Sequence, residues 1–91
     1  MNADTTSSLA MRKRRIRVRA THRGMKELDL LLGRLAEEVL DDLDDAGVAA
    51  FERLLEAPDG LLLEWIGGQA TPPAEHDGPL LRRLKQYHFG G

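Results

Sequence analysis

The sequence predicts a small all-α protein, a five-helix bundle, and three observations support this. Apolar residues recur at helical spacing through the middle of the chain, the single alternating segment has no partner strand, and the connections between periodic segments are short. A chain of 91 residues folds as one domain with a modest core. We expect residues 1–8 to form a flexible tail and residues 9–91 a single helical domain.

The first element is the segment LAMRKRRIRVRA, which begins at Leu9. Within it, RIRVR alternates with a period of two and by itself resembles a strand. An isolated strand would leave half of its backbone groups without partners, so a helix is the better interpretation. Leu9, Ile16 and Ala20 give it only a thin apolar stripe.

The second element carries the strongest periodic signal in the chain and predicts an amphipathic helix from about Gly24 to Leu40. With Gly24 as the N-cap, Glu27 would be the third helical residue, and its carboxylate would reach back to the Gly24 N–H. The apolar positions that define the stripe are Met25, Leu28, Leu32, Leu35, Val39 and, further on, Leu43.

The third element follows an acidic stop and carries its apolar stripe at Val48, Phe51, Leu54 and Leu55. Asp44 or Asp45 is suited to cap its first turn. We expect this helix to end near Ala57, because Pro58 would break the hydrogen-bond ladder.

The last two elements are a short helix and a C-terminal helix, separated by the loop from Gln69 to Asp77. We expect Asp59 to cap the short helix and the pair Gly67 and Gly68 to end it. Its core side chains would be Leu62, Trp65 and Ile66. Pro79 begins the C-terminal helix, in which Leu80, Leu84 and Tyr87 or His88 share a face.

The charges are segregated although the formal net charge is only −2. Residues 5–26 hold eight Lys or Arg and no acid, whereas residues 27–77 hold fourteen acids against two arginines. Such asymmetry is typical of nucleic-acid binding, and it is equally typical of oppositely charged segments that pack together within one domain. We favour packing.

The sequence lacks the residues or motifs of several kinds of catalytic and metal-binding site. There is no cysteine, and no sequence motif of a nucleotide-binding loop, a zinc protease or a serine nucleophile occurs. His22, His76 and His88 lie in three separate segments without metal-ligand spacing. No apolar run is long enough to span a membrane, so we expect no membrane insertion.

The start of the second helix holds two residues that helix chemistry leaves unexplained. Arg23 lies outside the positive end of the helix dipole, where a cation gains nothing. Leu30 projects onto the polar face of the helix. Either these residues belong to a docking surface, or the first helix covers Leu30. The candidate docking residues are Arg23, Gly24, Glu27, Leu30 and Arg34.

Two blocks of the sequence resemble the SdhE-type succinate dehydrogenase flavinylation factors, also called FAD assembly factors. The first is RGMKELD, residues 23–29, which opens the long helix. The second is FERLLEAPDGLLLEW, residues 51–65, which is similar to the family in its leucine-leucine-glutamate, proline-aspartate and closing tryptophan pattern. Leu61 and Leu63 depart from the acidic and aromatic residues that members often carry there.

The resemblance implies a partner and a function. It implies a five-helix bundle that binds the flavoprotein subunit of succinate dehydrogenase, and in bacteria often that of fumarate reductase, and promotes covalent attachment of FAD to it. It also implies that Arg23, Gly24 and Glu27 engage that subunit. On this reading the chain is no enzyme and has no cofactor of its own.

We further expect a monomer that binds no nucleic acid and that works in the bacterial cytoplasm rather than in the mitochondrial matrix. The alternatives are a small nucleic-acid-binding protein that uses the basic first helix, and a partner-binding bundle unrelated to flavin attachment.

Overall fold

The computed structural model describes residues 2–90, and it describes the side chains of residues 9–90. Within that part of the chain there are five α-helices, two short 3₁₀ turns at Leu40–Asp42 and Ala74–His76, and no strand. The prediction of an all-α five-helix bundle is confirmed. The helices are α1 (Asn2–Ala20), α2 (Lys26–Val39), α3 (Asp45–Leu55), α4 (Asp59–Gly67) and α5 (Pro79–Gly90).

The basic first segment is helical, as predicted. Ile16 and Ala20 are fully buried and Leu9 is partly buried against the same core, so the thin apolar stripe does face inward. Helix α1 begins at Asn2 and therefore extends back through the segment that we expected to be a tail. The side chains of that segment lie outside the described residues, and the division into tail and domain stays a prediction.

The core forms where α1 packs on α2 and α3 and where α5 packs on α2 and α4. Our face for α5 was partly right, since Leu84 is buried and Leu80 and Tyr87 pack at the margin of the core. Leu81, which we did not include, is also buried, and His88 is exposed. The fully buried side chains of the other helices include Ile16, Leu28, Leu32, Leu35, Val48, Phe51, Leu62 and Ile66.

Ordinary capping chemistry holds at the start of α3 and at the end of α4. Asp44 caps α3 by accepting the Gly47 N–H at 2.9 Å, and Gly68 ends α4 in the left-handed region at φ +84°. Both were predicted. The starts of α2 and α4 have no side-chain cap, and their N-caps are Met25 and Pro58. The predicted cap Asp59 is instead the first residue of α4.

Oppositely charged segments pack together, as we favoured. On α1, Arg12 contacts Glu52 of α3 at 2.7 Å, Lys13 donates to the Asp41 carbonyl at 2.8 Å, and Arg17 pairs with the Asp41 carboxylate. These contacts compensate for the thin apolar stripe of α1. In residues 2–90 no helix has both the length and the apolar character needed to cross a membrane.

Candidate docking surface

The corner between α1 and α2 is built around Gly24, which adopts φ +92°. An added Cβ at Gly24 would meet no other atom within 4 Å, so the backbone there is open to solvent. Met25, after Gly24, is extended at φ −115° and ψ 117°, so Met25 is the N-cap and α2 begins at Lys26. Our assignment of Gly24 as the N-cap is therefore wrong.

The carboxylate that reaches back to the residues before α2 is that of Asp29, whereas we expected that of Glu27. The Asp29 Oδ1 accepts the Arg23 N–H at 2.9 Å, while the Asp29 N–H donates to the Met25 carbonyl at 2.9 Å. The last residue of the RGMKELD block thus locks the turn that the first residue opens. The Glu27 carboxylate, which we expected to point back at the helix start, is left available for other contacts.

The Arg23 side chain points into the molecule, where its side-chain exposure is 11%. Nη1 donates to the Leu55 carbonyl and Nη2 to the Ala57 carbonyl, both at 2.7 Å. Nε and Nη2 also contact the Asp59 carboxylate, at 2.7 and 2.6 Å. We call this set of contacts the Arg23 clamp.

The Arg23 clamp satisfies groups that helix ends leave without partners. Leu55 is the last residue of α3, and Ala57 lies two residues further on. No N–H group of the helix is therefore available to donate to their carbonyls. Asp59 opens α4, where a carboxylate favours the helix dipole. One guanidinium therefore ties the α1–α2 corner to the α3–α4 corner, a structural role that sequence reasoning did not give Arg23.

The exposed face of α2 carries Glu27, Leu30 and Arg34, which we call the α2 strip. The spacing of three and four residues makes them neighbours on the helix surface. Leu30 is 67% exposed, so α1 does not cover it. The side chains of Glu27 and Arg34 are 54% and 52% exposed. Of the two possibilities left open by the sequence, an uncovered Leu30 is the one observed.

The C-terminal end of α5 borders the α2 strip. Arg34 lies over the Tyr87 ring at 4.1 Å, and Glu27 contacts Nδ1 of His88 at 3.4 Å. Phe89 stacks edge-on against His88, with ring centroids 4.7 Å apart, and is itself 67% exposed. The strip is therefore continued by a second exposed apolar side chain.

A polar brace anchors one end of the α2 strip. Glu38 accepts hydrogen bonds from Tyr87, from Arg34 at 3.2 Å and from Arg83 at 3.3 Å. The hydrogen bond from Tyr87, followed by that from Arg34, lowers the pKa of Glu38. Burial, followed by the hydrogen bond to Glu38, raises the pKa of Tyr87. Both pKa shifts favour a neutral Tyr87 hydrogen-bonded to an ionised Glu38. The same Glu38 carboxylate accepts the hydrogen bond that holds Arg34 in place.

The structure thus separates the five candidate residues into two groups. Gly24 and the α2 strip are exposed along α2 and the turn before it, whereas Arg23 is turned inward. Sequence reasoning missed Asp29, Asp59 and Phe89. The Asp29 contact is six residues from its partner and could have been sought as a turn lock, but nothing in the sequence connects Asp59 to Arg23.

Other chemistry finds little support in this part of the chain. Within the described residues no three His, Asp or Glu side chains gather in an arrangement that could hold a metal ion. An open groove of about 420 Å³ lies beside the α3–α4 corner. It offers one cation, Arg53, against the carboxylates of Glu56 and Glu75, a balance unsuited to the diphosphate of a dinucleotide.

Comparison with known proteins gives matches over most of the chain. Residues 14–88 match the family model described as flavinator of succinate dehydrogenase. The FAD assembly factor SdhE of Acetobacter pasteurianus is 39% identical over 77 residues, which is 85% of this chain and 71% of that protein. The FAD assembly factor SdhE of Coxiella burnetii is 39% identical over 64 residues, 70% of this chain and 78% of that protein.

A eukaryotic relative is similar over a longer stretch. The mitochondrial succinate dehydrogenase assembly factor 2 of Drosophila virilis is 32% identical over 81 residues, which is 87% of this chain and 51% of that protein. No solved structure gives a significant match.

Proposed function

The chain belongs to the family of flavinators of succinate dehydrogenase, and we propose on that basis that it promotes attachment of FAD to succinate dehydrogenase. The observation that carries this proposal is the match of the family model to residues 14–88. We propose in addition that the chain binds the flavoprotein subunit and that the attachment is covalent. A fumarate reductase flavoprotein is a possible second client, and a monomer in the bacterial cytoplasm is the proposed working form.

The docking surface that we propose is Gly24 together with the α2 strip. An exposed leucine between a carboxylate and a guanidinium offers a partner one apolar contact and two charge-assisted hydrogen bonds. Gly24 permits close approach of a partner backbone, because no side chain shields the turn.

Arg23 enters this proposal as a positioning residue. Its guanidinium contacts the α3–α4 corner and its N–H is held by Asp29, so it fixes the turn in which Gly24 lies. Direct contact of Arg23 with the flavoprotein, which the resemblance implies, would require its side chain to leave three acceptors. We therefore propose that Arg23 acts through the shape of the turn.

The function that these residues support is orientation of the partner. Holding a reactive side chain of the flavoprotein against its flavin converts a chance encounter into a fixed geometry, which lowers the barrier by several kcal/mol without a catalytic group from the factor. The clamp and the brace make the docking face rigid, which is the property that such a role requires. We propose accordingly that the chain is no enzyme and binds no cofactor of its own.

The test is co-expression of the succinate dehydrogenase flavoprotein with the Gly24→Arg variant, with covalent flavin read by in-gel fluorescence. The matched control is Gly68→Arg, because Gly68 also has a positive φ, at +84°, and also has open space around its Cβ position. Both substitutions impose similar backbone strain of about 1–2 kcal/mol. We expect Gly24→Arg to lower covalent flavin at least tenfold and Gly68→Arg to preserve it.

Two results would contradict the proposal at different levels. Unchanged covalent flavin with Gly24→Arg would remove Gly24 from the docking surface. Covalent flavin that is equal with and without the wild-type chain would remove the function itself.

A further inference from the structure

The outer face of α1 has no role in the bundle or in the proposed docking surface. At about 100° per residue, five side chains fall within an arc of about 140° that is centred opposite the buried stripe of Ile16 and Ala20. We call them the outer face of α1: Met11, Arg14, Arg15, Val18 and Arg19.

Its two apolar residues are exposed at the middle of the arc. Met11 is 45% exposed and Val18 is 54% exposed, and the spacing of seven residues places them in one line along the helix. Among the side chains described, neither belongs to the core or to the partly buried residues packed against it. An exposed pair of this kind on a helix surface is an unpartnered apolar ridge.

The three arginines of the outer face are exposed and make no side-chain hydrogen bond or ion pair with the side chains described. The cations on the flanks differ, because Arg12 and Arg17 are paired with Glu52 and Asp41. The packing of α1 thus neutralises the flanks and leaves the outward cations without an ion pair among the described side chains. The hydrogen bond from Arg12 is the main cause of the lowered pKa of Glu52, to which the nearby charges of Arg19 and Arg15 add.

We propose that the outer face of α1 binds the anionic headgroup surface of a phospholipid membrane. Cations that flank a short apolar ridge on one helix face fit a plane of phosphates above acyl chains. The face is formed by one helix, and an open depression of about 290 Å³ lies among Arg14, Arg15, Val18 and Arg19. Guanidiniums around an apolar side chain suit a phosphate headgroup with an acyl chain beneath it. Duplex nucleic acid fits less well, because the middle of the face is Met11 and Val18 rather than base-reading polar side chains.

The binding is peripheral and reversible. Three arginines near an anionic surface give a partition coefficient about 100-fold above that for a neutral one, which is about 3 kcal/mol at about 1.4 kcal/mol per tenfold. This advantage decreases with ionic strength, because the Debye length falls from about 10 Å at 0.1 M salt to about 3 Å at 1 M.

The experiment measures sedimentation of the full chain with vesicles of 30% phosphatidylglycerol and 70% phosphatidylcholine, and with vesicles of phosphatidylcholine alone. The test variant is Arg14→Gln, Arg15→Gln, Arg19→Gln. The control variant, Arg53→Gln, Arg82→Gln, Lys85→Gln, removes the same charge from cations on α3 and α5 that show no ion pair with the described side chains. A third variant, Val18→Ser, reports on the apolar ridge.

We expect salt-sensitive binding to the anionic vesicles alone, an about 100-fold loss for the test variant and under threefold loss for the control. Val18→Ser should weaken binding severalfold at high salt. Equal loss in the test and control variants would overturn the proposal, since net charge would then explain the binding. Retention on duplex DNA without binding to vesicles would overturn it in favour of nucleic acid. Because α2 is unchanged, covalent flavin in the co-expression assay should be unaffected in all three variants.

Discussion

Replacement of Arg23 by alanine should destabilise the whole bundle rather than weaken one contact. The substitution removes the donors for the Leu55 and Ala57 carbonyls and the partner of the Asp59 carboxylate. Its methyl group cannot reach any of these acceptors. The two helix corners then lose the side chain that joins them, although the Arg12–Glu52 pair between α1 and α3 is kept.

The expected loss follows from the contacts. Each hydrogen bond to a charged group contributes about 1.5 kcal/mol or more, and breaking a largely buried ion pair costs about 3–5 kcal/mol. Since Asp59 keeps partial access to water, at 29% side-chain exposure, we take the lower part of that range, about 3 kcal/mol. A domain of this size is stabilised by about 5–10 kcal/mol in total, so the variant should remain folded with about 2–7 kcal/mol of stability.

Urea unfolding followed by circular dichroism measures this. With a slope near 1 kcal/mol per molar urea, the midpoint should fall by about 3 M. Arg23→Lys should recover less than half of the loss, because an ammonium cannot reproduce the planar set of donors. Arg53→Ala is the matched control, an exposed arginine for which we expect a change within about 0.5 kcal/mol. If Arg23→Ala unfolds within 1 kcal/mol of the wild type, the clamp is not what holds the corners together.

Two further predictions concern Glu52 and Leu30. The hydrogen bond from Arg12 lowers the pKa of Glu52 in the folded protein. The Glu52 carboxylate therefore stabilises the fold fully at a pH above its pKa in the unfolded chain, about 4.3, and this contribution is lost as the pH falls further. Glu52→Gln should therefore cost about 1 kcal/mol at pH 7 and less at pH 3, in paired urea titrations; an equal cost at the two pH values would contradict this. Leu30→Asp should leave stability within about 0.5 kcal/mol yet weaken capture of the flavoprotein at least tenfold in a pull-down, whereas Leu61→Asp, at a leucine 40% exposed on α4, should not.

Local patterns in the sequence predicted what depends on neighbours along the chain. The periodicity of α2 identified its buried leucines, Asp44 was one of two expected caps, and the glycine pair identified the end of α4. Helical projection placed Leu30 on the polar face of α2, although it left open whether α1 covers it, and the structure shows Leu30 exposed. In each case the determining contact is within a few residues or follows from the hydrophobic pattern.

Contacts between distant residues were beyond the same reasoning. Arg23 is 32 to 36 residues from the groups it binds, and no periodicity links them. The start of α2 was misplaced for a related reason, because the positive φ of Gly24 depends on how the turn is closed by Asp29. The buried face of α5 was only partly predicted because the choice between Leu80 and Leu81 depends on how α5 lies on α2 and α4.

Because of the Arg23 clamp, substitutions at Arg23 and Gly24, two adjacent residues of one motif, should have different consequences in a living cell. A variant at Arg23 would populate the unfolded state more often and so be degraded faster, and its steady-state abundance would fall before any defect in partner contact could be seen. A variant at Gly24 would accumulate as folded protein and fail at its task. Quantifying protein level beside flavin attachment would therefore separate inherited defects of this motif into those that a stabilising ligand can rescue and those that it cannot.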